Sequence, residues 1–388
     1  MKTLDQVQPR TLIPGGTTVF TISSEGSYYL GGNLSIASGN AITVAVNNVT
    51  IDLQGFELIS TGGSAGILIN GGIANVTIRN GTIRNFASDG INGSGNSKVR
   101  VENVRALNNG SVGIFVDVNG AVIDCVAEAN AGTGILGTNN CVIYHCQSTG
   151  NTGAGSHGIF VGSAAQISGC VARSNAGSGI VAGDNGTLSD CVASNNTTGG
   201  ISLGTNCTIL NSTANESGMN GGTTAASHGI SATSACTITN CTANKNTGYG
   251  LSLSTGGTTG GAVHNSTFNG NTLNGIDATF GSDITACTAN VNGGQGINAQ
   301  LGCKVEGCTA DLNTGNGIVL LGVNRAINNG CRQNSAAGIL AQTAGGSRIE
   351  GNNVAVNINQ GIVVTTTNCL IIRNSAREFC RQLQHRRG

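Results

Sequence analysis

Residues 313–320 read Asn-Thr-Gly-Asn-Gly-Ile-Val-Leu, and variants of this Asn-x-x-x-Gly-Ile-x-Val/Leu unit recur along the chain. The Gly-Ile dipeptide marks each copy. Four successive marker glycines lie 21 residues apart, at Gly275, Gly296, Gly317 and Gly338. Other spacings are longer, with insertions of up to 8 residues. A period of this length is typical of proteins that stack one repeat on the next.

Within one period, apolar residues alternate with polar ones in short bursts, as they do in β-strands. Counted from the marker glycine, they fall at positions +1 and +3, +7 and +9, and +12 and +14. Gly, Asn, Ser and Thr, the residues of tight turns, separate these bursts. Because so short a unit cannot bury its inner face alone, each strand must pair in parallel with its copy one coil on. The sequence predicts an all-β parallel β-helix of about fourteen coils with three short strands per coil.

Two residue types recur at fixed positions of the coil. Asn stands four residues before the marker glycine on ten coils, from Asn109 to Asn357, where it suits a left-handed turn and can hydrogen-bond along the stack. Cys occupies +12 on seven coils and +7 on four. Copies one coil apart are separated by ~4.8 Å, whereas the Cβ atoms of a disulfide are about 3.8 Å apart. We therefore expect inward-facing reduced thiols that act as small apolar filler, with disulfides or a metal site as alternatives.

Charge and composition exclude several classes of protein. Charged residues make up 9% of the 388 residues and the formal net charge is zero, which excludes a highly charged disordered chain and a basic nucleic-acid binder. The chain has 63 Gly but only 2 Pro, which excludes collagen. No apolar run is long enough for a transmembrane segment, and the start MKTLDQVQPR lacks the apolar core of a secretory signal. One interpretation is that Met1 is an internal methionine after a missed signal peptide.

The repeat unit resembles that of the right-handed parallel β-helix superfamily, the pectate-lyase-like fold, over residues 31–375. Residues 26–30 and 48–53 are similar to openings of secreted bacterial β-helix repeat proteins. The resemblance implies an extracellular or cell-surface protein that binds an acidic polysaccharide, or cleaves it as a lyase or hydrolase. A non-catalytic structural or adhesive rod is the alternative. Calcium is implied only by this resemblance, and no other cofactor and no nucleic-acid partner is expected.

A cluster of charges stands out in so uncharged a chain. Asp283, Lys304 and Arg325 share position +8 on three consecutive coils, and Glu306 lies at +10 beside Lys304. As a catalytic site, the cluster would use Lys304 or Arg325 as a base or as a cation for a uronate, tuned by Asp283 or Glu306. The alternative is a solvated ladder of opposite charges that contributes about 0–1 kcal/mol per pair.

Two further candidates lie near the marker glycine. His228 precedes Gly229-Ile230 and is similar to part of the Gly-His-Gly strand of polygalacturonase-type hydrolases, but the chain has no Asp-Asp pair. His228 is therefore either a catalytic candidate or an anchor for the long turn before it. Phe115 and Phe160 occupy outward +2 positions, where they could stack on sugar rings or contact a covering loop or partner.

The two ends differ from the middle of the chain. Residues 1–30 are predicted to be a lead and cap, residues 31–375 the β-helix, and residues 376–388 an off-pattern tail that a reading-frame shift would explain. A β-helix exposes unpaired strand edges at its ends. The sequence therefore allows a monomer or end-to-end association through an uncapped C-terminus.

Overall fold

The structure, a computed structural model, describes residues 9–218, 227–253, 260–343 and 345–377. These residues form 43 short strands and no helix. The chain divides into two compact units, Met1–Gly204 and Thr205–Gly388. No helix in the described ranges is long and apolar enough to cross a membrane.

The first unit contains strands β1 to β24, most of them three residues long. Their bounds are Arg10–Ile13 (β1), Phe20–Ile22 (β2), Gly26–Leu30 (β3), Leu34–Ile36 (β4), Ile42–Val44 (β5), Val49–Asp52 (β6), Glu57–Ser60 (β7), Ile67–Ile69 (β8), Ala74–Arg84 (β9), Ile91–Gly93 (β10), Ser97–Leu107 (β11), Ile114–Val116 (β12), Ala121–Ile123 (β13), Val126–Glu128 (β14), Ile135–Gly137 (β15), Val142–Tyr144 (β16), Gln147–Thr149 (β17), Ile159–Val161 (β18), Gln166–Ser168 (β19), Val171–Arg173 (β20), Ser178–Ala182 (β21), Thr187–Ser189 (β22), Val192–Ser194 (β23) and Gly199–Leu203 (β24).

The second unit contains strands β25 to β43. Their bounds are Thr208–Leu210 (β25), Thr213–Asn215 (β26), Ile230–Ala232 (β27), Thr237–Thr239 (β28), Leu251–Leu253 (β29), Ala262–His264 (β30), Ile276–Ala278 (β31), Asp283–Thr285 (β32), Ile297–Ala299 (β33), Lys304–Glu306 (β34), Ile318–Leu321 (β35), Arg325–Ile327 (β36), Gly330–Arg332 (β37), Ile339–Gln342 (β38), Arg348–Glu350 (β39), Asn353–Ala355 (β40), Ile362–Val364 (β41), Leu370–Ile372 (β42) and Ser375–Arg377 (β43).

The strand that follows the marker glycine forms the first sheet of each unit, with every neighbouring pair parallel. Its members are β2, β5, β8, β10, β12, β15, β18, β21 and β24 in the first unit and β27, β29, β31, β33, β35, β38 and β41 in the second. The predicted parallel β-helix is confirmed, but the strands give about sixteen coils and the expected fourteen is wrong. The two uncounted coils carry Val19 and Ala41 where later coils carry glycine.

The second and third strands of most coils build the second sheet, while the third strands β37, β40 and β43 form a separate three-stranded sheet. In the first unit the third strands β14, β17, β20 and β23 pair in order. In the second unit the third strand shrinks to one bridging threonine on four coils, Thr242, Thr267, Thr288 and Thr309, and returns as β37, β40 and β43. The prediction of three strands per coil is therefore confirmed with a local shortening.

The core consists of small and branched side chains. On β33, Ile297 and Ala299 are fully buried while Asn298 between them faces out, and Ile297 pairs with Ile318 exactly one 21-residue period on. Alternation along each strand and parallel pairing between coils thus place identical positions on top of one another. On this coil all six predicted inward positions, +1, +3, +7, +9, +12 and +14, are at most 1% exposed, as predicted.

Each coil turns its corners with residues in the left-handed region. On one coil these are Gly281 (φ 67°), Ala286 (φ 54°) and Val291 (φ 59°). Each precedes an inward side chain, since Ser282, Cys287 and Asn292 are all 1% exposed. The left-handed residue is therefore the one before the ladder asparagine, and the expectation that the asparagine itself adopts that conformation is wrong. A β-branched residue such as Val291 is strained there, so the stacked coils must hold the corner in place.

The buried asparagines form a continuous hydrogen-bonded ladder within each unit. The Oδ1 atom of Asn313 accepts the backbone N–H of Asn292 (2.9 Å) and its side-chain amide (3.0 Å). The Nδ2 atom of Asn313 donates to the carbonyl oxygen of Ala289 and to Oδ1 of Asn334, both at 3.0 Å. Every polar atom of this buried side chain is satisfied, as burial requires.

The marker glycine is explained by this ladder. A Cβ atom on Gly296 would lie 2.7 Å from Nδ2 of Asn313 and 2.6 Å from the carbonyl oxygen of Gly317. Side chains larger than hydrogen therefore collide with the amide of the next coil. The coils that carry Val19 and Ala41 lie before the first ladder residue, Asn109, and so lack this collision.

The eleven cysteines of the +7 and +12 positions are buried free thiols. Their thiol groups also form hydrogen bonds. The Sγ atom of Cys308 accepts the backbone N–H of Cys287 at 3.4 Å and donates to the carbonyl oxygen of Glu306 at 3.4 Å. On the next coil Oδ1 of Asn329 accepts the N–H of Cys308 at 2.8 Å. Thiol and amide are thus alternative acceptors for the same corner N–H group.

Residues near the ends contribute strands. Within the segment 1–30, predicted as lead and cap, β1 pairs in parallel with β3 and β3 with β6. Residues 1–8 lie outside the described residues. Of the predicted tail 376–388, Ala376 and Arg377 belong to β43, which pairs with β40, and residues 378–388 lie outside the described residues.

Candidate binding site

The predicted charge cluster lies on adjacent strands of the second sheet in the second unit. Asp283 pairs with Lys304, Lys304 with Arg325, and Arg325 with Arg348 in the backbone register. Equal offsets from the marker glycine predict the first three positions. Arg348 lies at +10 because extra residues lengthen the preceding turn, so offset counting missed it. The sequence feature that could have identified Arg348 is the basic-apolar-Glu pattern of residues 348–350, which is the same as that of residues 304–306.

Lys304 lies between two carboxylates. Its Nζ atom is 3.0 Å from Oδ2 of Asp283 and 3.2 Å from Oε2 of Glu306. The hydrogen bonds to Asp283 and Glu306 raise the pKa of Lys304 above its ordinary value. Partial burial opposes ionisation of Asp283, but the hydrogen bonds from Thr285 and Lys304 outweigh it, so the pKa of Asp283 is lowered. Both groups are therefore ionised at neutral pH.

Two arginines complete the row. Arg348 is held by Glu350, with Nε 2.7 Å and Nη2 2.5 Å from Oε2, and Arg373 reaches the other oxygen of Glu350 at 3.4 Å. Arg325 is exposed and forms no ion pair with any residue in the described part of the chain. The guanidinium of Arg325 is thus available to a ligand.

A surface concavity of about 530 Å³ lies along this row. We call it the cationic groove, lined by Lys304, Arg325, Arg348, Asn324, Ser347 and Leu370. Its charged lining is basic, and Leu370 adds an apolar side chain. Asn324 and Ser347 are buried, and their side chains bond backbone groups. The three cations recur at one strand spacing, ~4.8 Å, which gives the groove a periodic charge along the coil stack.

His228 lies two residues before β27 and makes contacts that sequence analysis missed. Its Nδ1 atom accepts the backbone N–H of Tyr249 at 3.2 Å, and the two rings stack with centroids 5.0 Å apart. Burial lowers the pKa of His228, so the imidazole is neutral at neutral pH. The structure does not bring His228 into the cationic groove, which lies on the other sheet.

Phe115 and Phe160 face outward from the first sheet of the first unit. Leu136 lies between them in the register, and the ring of His157 stacks on Phe160 with centroids 5.6 Å apart. All three outward side chains are half-buried. They form an apolar stripe, and their proposed contact with sugar rings stays a prediction.

Over the described residues, no three His, Cys, Asp or Glu side chains come together in a way that could hold a metal ion. In the cationic groove Asp283 and Glu306 already hold Lys304, so calcium would have to displace an ammonium group from each carboxylate.

Comparison with known families identifies the fold. The family model described as "Right handed beta helix region" matches residues 22–161, 153–290 and 229–377. The chain belongs to the right-handed β-helix family. No curated protein sequence matches this β-helix.

Solved structures share the fold at low identity. The mannuronan C-5 epimerase AlgE4 A-module of Azotobacter vinelandii is 14% identical, with 91% of this chain and 87% of that chain covered at a TM-score of 0.41. The Dettilon tailspike protein is also 14% identical, with 91% and 62% covered and a TM-score of 0.36. Pectate lyase Pel9A is 15% identical, with 95% and 72% covered and a TM-score of 0.27. At these values the similarity concerns the fold of the β-helix.

Proposed function

We propose that this β-helix is an extracellular carbohydrate-binding protein that holds an acidic polysaccharide in the cationic groove without cleaving it. The observation that supports the proposal is the row of Lys304, Arg325 and Arg348, three cations in register on adjacent strands beside one concavity. An extended chain of uronate units presents carboxylates at regular intervals, as this row presents cations.

Arg325 is the residue on which the proposed contact depends most. A guanidinium can hold a carboxylate through two parallel hydrogen bonds, and no described side chain competes for Arg325. Lys304 and Arg348 are already paired, so they contribute attraction at longer range.

Binding is favoured over cleavage by the ionisation states in the groove. A general base must be deprotonated and a general acid protonated near the working pH. Lys304 has a raised pKa and Asp283 a lowered pKa, so at neutral pH Lys304 is no base and Asp283 is no acid. An arginine guanidinium does not lose its proton in proteins. The lowered pKa makes Asp283 a weak base and the raised pKa makes Lys304 a weak acid, so both are poor proton carriers for lyase or hydrolase chemistry at neutral pH.

A structural role without a ligand is the second candidate. The ion pairs of Lys304 with Asp283 and Glu306 and of Arg348 with Glu350 would by themselves form a solvated ladder of opposite charges. Such exposed pairs contribute little stability. A structural protein would leave the groove without affinity for any glycan.

The test is binding to polygalacturonate and alginate, with dextran as the uncharged reference, by isothermal titration calorimetry at two salt concentrations. We expect binding of an acidic glycan that weakens with salt, and a loss of about tenfold, 1.4 kcal/mol, on Arg325→Ala. Arg100→Ala is the matched control, because Arg100 lies in the same basic-apolar-Glu pattern but has Thr77 and Ala121 as register neighbours.

Three outcomes would contradict the proposal. Equal affinity of wild type and Arg325→Ala for the acidic glycans would remove the groove as the site. Absence of any binding to either acidic glycan would leave the structural role. Unsaturated products or new reducing ends that disappear in Lys304→Ala would show that the cluster cleaves after all.

A further inference from the structure

A second group of polar side chains lies on the first sheet of the second unit. Asp277 faces outward from β31, between Ser252 on β29 and Asn298 on β33. Its Oδ1 atom accepts hydrogen bonds from Nδ2 of Asn298 at 2.7 Å and from Nδ2 of Asn274 at 3.1 Å. The carboxylate is half-buried, and Oδ2 accepts no hydrogen bond from any described residue.

An aromatic pair lies next to this carboxylate along the stack. Tyr249 stands on the coil before Asp277, and its ring stacks on that of His228 at an interplanar angle of 15°. Burial and then the charge of Asp277 raise the pKa of Tyr249, and the same charge acts on His228. The backbone N–H of Gly250 donates to the carbonyl oxygen of Asn274 at 3.0 Å, so Tyr249 lies one coil before Asn274, the residue that bonds Asp277.

Side-chain hydrogen bonds hold this surface rigid. The Oδ1 atom of Asn274 accepts the backbone N–H of Gln295 at 2.8 Å, and Oε1 of Gln295 accepts from Nδ2 of Asn316 at 3.0 Å. The backbone N–H of Tyr249 fixes the imidazole of His228 in the same way. Groups that are already ordered lose little conformational entropy when a ligand binds.

We propose that Asp277, Asn274, Asn298 and Tyr249 form a binding site for a neutral pyranose of a glycan, separate from the cationic groove. The Oδ2 atom can accept a sugar hydroxyl, and each of the two amide nitrogens has a second N–H that Asp277 does not use. The ring of Tyr249 offers an apolar face on which a pyranose can stack. Tyr249 lies one coil before Asp277 and Asn298 one coil after it, at ~4.8 Å per coil, so a pyranose stacked on Tyr249 and the next sugar of the glycan can together reach these groups.

The chemistry of the site selects an uncharged ligand. The negative charge of Asp277 repels a uronate, and no described cation pairs with it to offset that charge. A metal ion would need oxygen lone pairs, whereas two amide N–H groups already point at Oδ1. A sugar hydroxyl is the group that can donate a hydrogen bond to Oδ2 of Asp277.

The experiment measures binding of cellotetraose, maltotetraose and mannotetraose to the full chain by saturation-transfer NMR and calorimetry. We expect wild type to bind at least one tetrasaccharide, with saturation transfer to the ring protons that face Tyr249. Asp277→Asn keeps Oδ1 as an acceptor and replaces Oδ2 by a donor, so affinity should fall about tenfold or more. Tyr249→Ala should lose binding, whereas Tyr249→Phe keeps the ring and should bind like wild type.

Arg325→Ala separates the two sites. It should leave tetrasaccharide binding unchanged, whatever it does to acidic glycans, and circular dichroism checks that each variant is folded. The inference is overturned if none of the three tetrasaccharides binds wild type, if folded Asp277→Asn and Tyr249→Ala bind like wild type, or if Arg325→Ala abolishes binding of the neutral probes.

Discussion

Replacement of Asn313 by alanine tests whether the buried amide ladder holds the coils together. The side chain is fully buried and takes part in four hydrogen bonds, two as acceptor from Asn292 and two as donor to Ala289 and Asn334. At about 1 kcal/mol net for each bond, their loss predicts a decrease of about 4 kcal/mol in the free energy of unfolding. The cavity left by the amide adds to this loss.

Guanidinium denaturation followed by circular dichroism gives the free energy of unfolding, because the chain has no Trp for fluorescence. Stacked repeats need not unfold in one step. Hydrogen exchange of peptides that span residues 287–316 therefore supplies a local measurement, and the backbone N–H of Asn292 should exchange faster in Asn313→Ala. Asn353→Ala, at an exposed strand position, is the matched control and should change stability by less than about 0.5 kcal/mol.

The reasoning is refuted if Asn313→Ala lowers stability by no more than the exposed control and leaves the exchange of Asn292 unchanged. That result would mean that water or backbone shifts replace the amide at no cost. The ladder would then be a consequence of the fold and would contribute little to its stability.

Three further predictions concern a marker glycine, a buried thiol and a half-buried histidine. Gly296→Ala should destabilise by about 1–3 kcal/mol through overpacking, since its Cβ atom meets Asn313 and a carbonyl oxygen; a melting temperature equal to wild type would contradict this. Cys308→Ser should be tolerated in denaturation, whereas Cys308→Val should cost about 1–3 kcal/mol because the N–H of Cys287 loses its acceptor; equal stability of the two variants would refute the hydrogen-bonding role. Burial lowers the pKa of His157 below its ordinary 6.5, so the unfolded chain binds more protons below that pH and stability should fall as pH drops through 6.5 until the folded imidazole is also protonated. His157→Gln should flatten this decline in melting temperature, and an unchanged pH profile would show that another group causes it.

Equal spacing made part of the charge cluster predictable. Asp283, Lys304 and Arg325 are separated by whole 21-residue periods, so their register follows from counting. Arg348 was missed because extra residues lengthen the turn before it, and Asn151 was missed from the amide ladder for the same reason. Its side chain nevertheless donates to Asn175 at 2.8 Å. An insertion changes a residue's offset from the marker glycine but not the register of its strand, because the turn accommodates the additional residues.

The polar group around Asp277 could not be identified from its sequence. Polar residues occupy the same outward position on many coils, so no offset singles out Asp277 and Asn298. The nearby pairing of Tyr249 with His228 depends on how two rings stack across coils. Such side-chain contacts are decided by rotamers and by the packing of neighbouring coils.

The sequence by itself determined the coil: the 21-residue period, the alternation of buried and exposed positions, and the pairing of marker glycine with ladder asparagine. These features are fixed by short-range sterics and hydrogen bonding, which repeat wherever the same residues repeat. Only the tertiary structure decided that Arg348 joins Lys304 and Arg325 beside one groove and that Asn274, one coil after Tyr249, bonds Asp277. The reason is that parallel pairing brings together residues that are a coil apart, and the length of each turn sets which residues those are.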